Sequence, residues 1–126
     1  MIRLKNYVQG QWVEGSGSFR SLYNPATEEV VAETSAEGLD FQAVLAYARD
    51  VGGPALRRLS FEERAALLKA MSRALYARRE DLIEVARVNG GNTRKDAKFD
   101  IDGATATLAY YASLGRKLGD GKILWD

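Results

Sequence analysis

The sequence predicts an α+β chain in which two N-terminal β-hairpins precede three amphipathic helices. Three observations carry that expectation. The apolar period changes from two to 3.6 after Ser35. Turn chemistry is concentrated in the first third, at Gln9-Gly10-Gln11 and Asn24-Pro25-Ala26-Thr27. Helix stop signals then recur at Gly52-Gly53-Pro54, Gly90-Gly91 and Gly119.

Each element has its own local reason. Tyr7-Val8 and Trp12-Val13 flank Gly10, which takes the positive φ that a tight hairpin turn demands. Gly15-Ser16-Gly17-Ser18 reads as a flexible connection. Phe19, Leu22 and Tyr23 lead into Asn24-Pro25, where the proline keeps Asn24 out of the α region and presets the turn. Glu29-Val30-Val31-Ala32-Glu33 is the returning strand. The hairpin part is therefore residues 1–34 and the helical part residues 35–126.

Phe41, Val44, Leu45, Ala48 and Val51 form the apolar face of a first helix, expected to end at Gly52-Gly53-Pro54. Ser60-Phe61-Glu62-Glu63 is a capping box, the serine hydroxyl serving the Glu63 amide while the Glu63 carboxylate reaches back. One long helix then carries Leu67, Leu68, Met71, Leu75, Leu82, Ile83 and Ala86 to a stop at Gly90-Gly91. Thr93 to Asp96 is a second, weaker box, because aspartate is shorter than glutamate. The third helix places Ala97, Ile101, Ala104, Leu108 and Tyr111 on one side, and Gly103, Ala104 and Ala106 are small enough to admit another backbone. Ile123-Leu124-Trp125 reads as a strand beginning, an apolar edge that wants a partner.

The totals bound function by exclusion. The 126 residues contain no cysteine and no histidine, hence no thiolate nucleophile, imidazole base or soft metal ligand. Eighteen Lys and Arg against 17 Asp and Glu give a net charge of +1, no electrostatic case for nucleic acid or an acidic membrane. The basic pairs Arg57-Arg58, Arg78-Arg79 and Arg116-Lys117 read as solvated helix faces. No apolar run approaches the roughly 20 residues a spanning helix needs, and no secretory leader is visible, so a cytoplasmic location is expected.

Four segments in register carry a family resemblance. They are Gly10-Gln11-Trp12-Val13, Asn24 through Ala32, Ser60 through Leu68, and Tyr110-Tyr111-Ala112. Together they resemble the N-terminal region of the NAD(P)-dependent aldehyde dehydrogenase superfamily. Ser35 through Asp40 and Val51 through Arg57 look like the branch that oxidises coenzyme A-linked semialdehydes in bacterial phenylacetate and benzoate breakdown.

The resemblance implies that the chain is the opening quarter of an α/β enzyme that forms oligomers. That parent oxidises a small aldehyde to an acid with NAD or NADP, through a cysteine thiolate and a glutamate-activated water. Those residues and most of the cofactor site belong to later parts of the family's chain. No catalytic or cofactor-binding residue is expected here, and no cofactor for this chain alone. Gly90-Gly91-Asn92, the nearest glycine cluster to a cofactor loop, follows a helix instead of preceding one. The expected partners are the remainder of the enzyme or a homologous subunit.

One family feature transfers by position. Some members hold a monovalent cation at the positions matching Leu22, Tyr23 and Asn89. Asn89 offers an amide where those members have a carboxylate, and the preferred reading is a helix C-terminal residue in the left-handed region.

The remaining candidates have plain readings. Asp100 and Asp102 lie two apart on a helix and do not make an acid/base pair; a solvated or capping role is expected. Glu62-Glu63 favours a helix N-terminus. Tyr7, Trp12, Tyr23, Tyr110 and Tyr111 are expected as core or interface anchors. The first functional expectation is thus a catalytically silent portion of a semialdehyde dehydrogenase. The alternatives are a free-standing binding or subunit-interaction module and, more remotely, a self-sufficient enzyme.

Overall fold

A computed structural model describes residues 1–124. The α+β class holds, with the hairpins first and the helices after. Strands β1 (Lys5–Val8) and β2 (Gln11–Glu14) pair antiparallel across a two-residue loop. Both loop residues take positive φ, Gln9 at 51° and Gly10 at 79°, the backbone of a type I′ turn. The second hairpin joins β3 (Arg20–Tyr23) to β4 (Val30–Thr34), with an irregularity between Leu22 and Tyr23. The Asn24 side chain accepts from the Ala26 amide at 2.9 Å, closing the turn that Pro25 presets. Residues 2–4 run parallel beside β4, held by Leu4 N–H to Glu33 O and Glu33 N–H to Ile2 O, both 2.9 Å.

The serine-glycine connection is tied down rather than flexible. Ser16 donates through its amide to the Glu37 carbonyl at 2.9 Å. The Glu37 carboxylate accepts from the Ser18 hydroxyl at 2.8 Å and from its amide, which holds that carboxyl below its usual range. Short polar side chains that invite flexibility when solvated become staples when an acceptor lies opposite.

The first helix does not stop at Gly52-Gly53-Pro54. Helix α1 (Phe41–Tyr47), capped by Asp40, passes into a π-helical turn (Ala48–Gly52) and on into α2 (Gly53–Arg58). Gly52 and Gly53 keep right-handed helical angles. The wider turn sends the Gly53 amide five residues back, to Ala48 O, which leaves Pro54 at the start of a fresh segment. There its missing N–H costs little.

The middle helix is two helices. Helix α3 (Phe61–Ala77) opens with the complete Ser60–Glu63 capping box, Ser60 N–H to the Glu63 carboxylate at 2.7 Å and Glu63 N–H to the Ser60 hydroxyl at 3.1 Å. It ends at Arg78, whose φ of −109° and ψ of 22° interrupt the register before α4 (Arg79–Gly90). The single off-register residue re-aims α4 onto the last helix, α5 (Arg94–Leu118), where Ile83 is fully buried. The second box behaves as side-chain length dictates. Thr93 caps the Asp96 amide, but Asp96 reaches only the Thr93 hydroxyl, at 2.7 Å.

The left-handed position at the end of α4 belongs to Gly91, with φ 68°, and not to Asn89, which stays inside the helix. A β-carbon on Gly91 would lie 2.7 Å from Pro25 Cγ, so the hairpin turn and the helix end meet there. Helices α3 and α5 form the principal packing contact. Their seam is built from Ala65, Ser72, Thr105 and Ala112, all buried, with Ser72 Oγ donating to the Thr105 carbonyl at 2.9 Å. Gly115 is the close approach: its added β-carbon would sit 3.0 Å from Ala65 Cβ and 3.3 Å from Phe61 O. Nothing lies near a β-carbon on Gly103, so that expected approach falls instead at Gly115.

The expected strand at Ile123-Leu124-Trp125 is not formed at its first two residues, which are exposed; Trp125 lies outside the described residues. One substitution tests the seam and another the α3 cap. Gly115→Leu should lower stability by about 1–3 kcal/mol through overpacking, and Ser60→Ala by about 1 kcal/mol through loss of the cap. Urea titration followed by circular dichroism reads both; an unchanged midpoint for Gly115→Leu would show that the seam is slack.

Candidate functional site

The sequence-derived stripes are buried in part: Ile83 and Ala97 are fully covered, but the α3–α5 seam uses other residues. On α5 the seam uses Thr105 and Ala112, one residue beyond the expected Ala104 and Tyr111, which are exposed. On α3, Leu67 and Met71 are likewise about half exposed. Helical spacing puts Leu67 and Met71 on one side of the seam together with Ala104 and Tyr111, and puts Lys69, Arg73 and Tyr76 on the other. The pair of helices therefore has an apolar flank and a polar flank.

The apolar flank is one part of a wider exposure. The chain presents 9509 Å² to solvent, whereas a compact monomer of its mass presents about 6,700 Å². The excess is more than three times the roughly 800 Å² that each partner contributes to a standard interface. Among the described residues the buried apolar ones are small apart from Ile83. Each aromatic expected as a core or interface anchor is exposed, from Tyr23 and Tyr111 at 56% to Trp12 at 68%. Tyr7 and Trp12 touch across the first hairpin with ring centres 5.1 Å apart, and Tyr110 meets Tyr111 edge-on at 5.5 Å. Helices α1 and α2 bury no residue at all, and Phe41, Leu45 and Leu56 are open to solvent.

Charge is organised where α4 leaves α3. Arg79 grips Asp102 with both arms of its guanidinium, Nε at 2.6 Å and Nη2 at 2.9 Å, and also pairs with Glu80. Glu80 in turn accepts from Arg94 at 2.6 Å. The Arg79 hydrogen bond holds the Asp102 carboxyl below its usual range, and Arg94 does the same for Glu80. Arg79 is thus not a solvated member of a basic pair, and Asp102 is not a free carboxylate. Asp100 lies apart from it, accepting weakly from Asn92 at 3.4 Å. No signal in the sequence announced the Arg79–Asp102 pair, since the partners lie on different helices.

The cation candidates come from two elements that approach each other. Leu22 and Tyr23 close β3, Asn89 is near the end of α4, and the Pro25–Gly91 contact brings those ends together. Among the described residues, no three His, Cys, Asp or Glu side chains gather into a metal site. Gly90 is the last residue of α4 and Gly91 its cap, so they stand at the carbonyl end of a helix and not among the free amides of a helix N-terminus. Among the described residues no helix is long and apolar enough to cross a membrane.

The chain belongs to the aldehyde dehydrogenase family, whose model matches residues 12–125. It is 43% identical over 123 residues to the 3,4-dehydroadipyl-CoA semialdehyde dehydrogenase of Aromatoleum evansii, covering 98% of this chain and 24% of that enzyme. It is 30% identical to the 3,6-anhydro-alpha-L-galactose dehydrogenase of a Vibrio strain, again over 98% of this chain and 26% of the relative. Among solved structures, an NAD-dependent benzaldehyde dehydrogenase from Corynebacterium glutamicum superposes with a TM-score of 0.79 at 25% identity, over 90% of this chain and 25% of that one. The chain spans about a quarter of the length of these relatives. The resemblance carried by the four sequence segments is confirmed, and the hairpins and helices are those of the aldehyde dehydrogenase fold.

The pH behaviour follows from the paired carboxylates. Asp102, Glu80, Glu84 and Glu37 all hold their protons less readily when folded. Their contribution is complete above the unfolded carboxylate range, about pH 4–5, and is lost as pH falls through the lower folded values. The melting temperature should therefore drop between about pH 5 and pH 3. Asp102→Asn should flatten that drop, because the amide has no proton to gain. Equal slopes in thermal melts of the two proteins would remove Asp102 from the account.

Proposed function

We propose that this chain is the N-terminal structural quarter of an NAD(P)-dependent semialdehyde dehydrogenase acting in aromatic-compound breakdown, on an aldehyde carried as a coenzyme A thioester. The observation that carries the reading is the exposed apolar flank of Leu67, Met71 and Tyr111 on a chain covering 98% of itself but 24% of its 43%-identical relative. A surface of that kind fits a body that covers it. The 43% identity to a coenzyme A-linked enzyme supports the substrate class.

The chain's own residues do not fit the chemistry of that reaction, so no catalytic step is assigned to them. The sequence has no thiol to attack a carbonyl and no imidazole. Its glycine pair closes the C-terminal end of a helix, where no pyrophosphate would meet free amides. What the chain supplies is scaffold: a small-residue seam that fixes two helices, and an outer apolar face for the rest of the subunit. The nicotinamide, when bound by the intact enzyme, accepts the hydride. The intact enzyme is proposed to be a cytoplasmic oligomer with a small-molecule aldehyde as substrate. Leu22, Tyr23 and Asn89 are not assigned a cation, because an amide oxygen adds no charge to hold one.

The competing reading is a free-standing interaction module, which the exposed Tyr7–Trp12 pair would serve. Complementation separates the two. Mixed with the remaining three quarters of the Aromatoleum evansii relative, this chain should restore NAD(P)H production that neither part shows alone. Met71→Glu should reduce the restored rate at least about tenfold by placing a charge in the covered flank. A monodisperse chain that binds no hydrophobic dye and restores no turnover would instead favour the module.

A further inference from the structure

The polar flank of the α3–α5 pair carries charge that the rest of the chain balances out. Two adjoining concavities of about 640 and 510 Å³ run along it, sharing Arg73 and Ala109. Their walls hold Lys69, Arg73, Lys98 and Arg116, together with the Arg79–Asp102 pair and the carboxylate of Glu62. Arg79 and Asp102 neutralise each other. Among the described residues, four cations then face a single carboxylate, in a chain whose net charge is only +1. All four are exposed, and among the described residues none of their side chains makes a hydrogen bond or ion pair.

The floor between the cations is alanine, with Ala66, Ala70, Ala106 and Ala109 leaving room for a backbone to lie close. Lys98 and Arg116 lie on one helix and are separated by about 27 Å along its axis at 1.5 Å per residue. A phosphorylated small molecule concentrates its charge at one end and would engage one end of such a trough. Single-stranded nucleic acid matches the length but needs aromatic platforms for its bases, and among the described residues Tyr76 at one end is the only ring in the walls. An extended polypeptide spans the distance with about eight residues.

We propose that this trough docks an acidic polypeptide segment of a partner protein, with carboxylates distributed along its length to meet Lys69, Arg73, Lys98 and Arg116. The site is independent of the apolar flank, because it lies on the other side of the seam. It also explains why these cations stand over small residues and, among the described residues, make no ion pair of their own. Charge complementarity of this sort sets encounter rate and selectivity as well as affinity.

The test is fluorescence anisotropy of a labelled peptide of eight glutamates titrated with the whole chain. Saturable binding is expected, weakening several-fold as salt rises from about 50 to 200 mM. Arg73→Glu and Lys98→Glu should each weaken it at least about tenfold, and Lys98→Gln should weaken it less. Arg49→Glu, on the π-helical turn away from the trough, should leave it unchanged. The four side chains carry no structural bonds, so circular dichroism of the variants should match the parent. Equal affinity for Arg73→Glu and the parent overturns the proposal, as does absence of saturable binding. Tighter binding of a labelled eight-nucleotide thymidine strand, or full competition by inorganic pyrophosphate at equal concentration, would replace the peptide with those ligands.

Discussion

The helical part depends on how closely α3 and α5 approach. Ala65, Ser72, Thr105, Ala112 and Gly115 let two backbones meet with almost no intervening side chain. Such a contact gains dispersion energy over many atom pairs while burying little apolar area. The Ser72 hydroxyl, donating to the Thr105 carbonyl at 2.9 Å, satisfies the polar group that this proximity would otherwise strand. The bulky apolar residues are thereby displaced to the flank. One constraint produces both the tight seam and the open surface beside it.

The same displacement explains which parts of the fold were legible in the sequence. Turns were readable because they are local: Gly10, Asn24-Pro25 and the Ser60–Glu63 box act within a few residues. Helix faces were readable as apolar stripes, but a stripe does not say which partner it meets. Leu67, Met71 and Tyr111 mark a surface that this chain does not cover, whereas the buried seam was written in alanine, serine and threonine. Small residues carry little hydrophobic signal, so the true contact was nearly silent. Gly52-Gly53-Pro54 misled for a different reason. Propensity argues for a break there, and the structure accommodates the proline by widening one turn.

The candidate site shows the same division. That the chain lacks a thiol and an imidazole was plain from composition alone, and its family was visible in four segments. The Arg79–Asp102 pair was invisible because it joins α4 to α5 through a fork geometry that no linear spacing encodes. Arg78 supplies the missing link. By leaving the helical register it turns Arg79 inward, to 19% side-chain exposure, while remaining exposed itself. A basic dipeptide that looked uniform thus divides into one structural and one solvated residue.

The contact of Gly91 with Pro25 has a consequence for the order in which the molecule assembles. During synthesis the Asn24-Pro25 turn emerges long before the end of α4 exists. The second hairpin must wait with that side uncovered, and short hairpins are marginal on their own. The α3–α5 seam also needs α5, so the helical part gains its principal long-range support only when most of the chain is present, whereas the hairpins are already tied together within residues 2–37. Closing so long a loop carries an entropic cost that local helices do not pay. Final consolidation of this chain is therefore a late and collective event, with the glycine at the end of α4 acting as its latch.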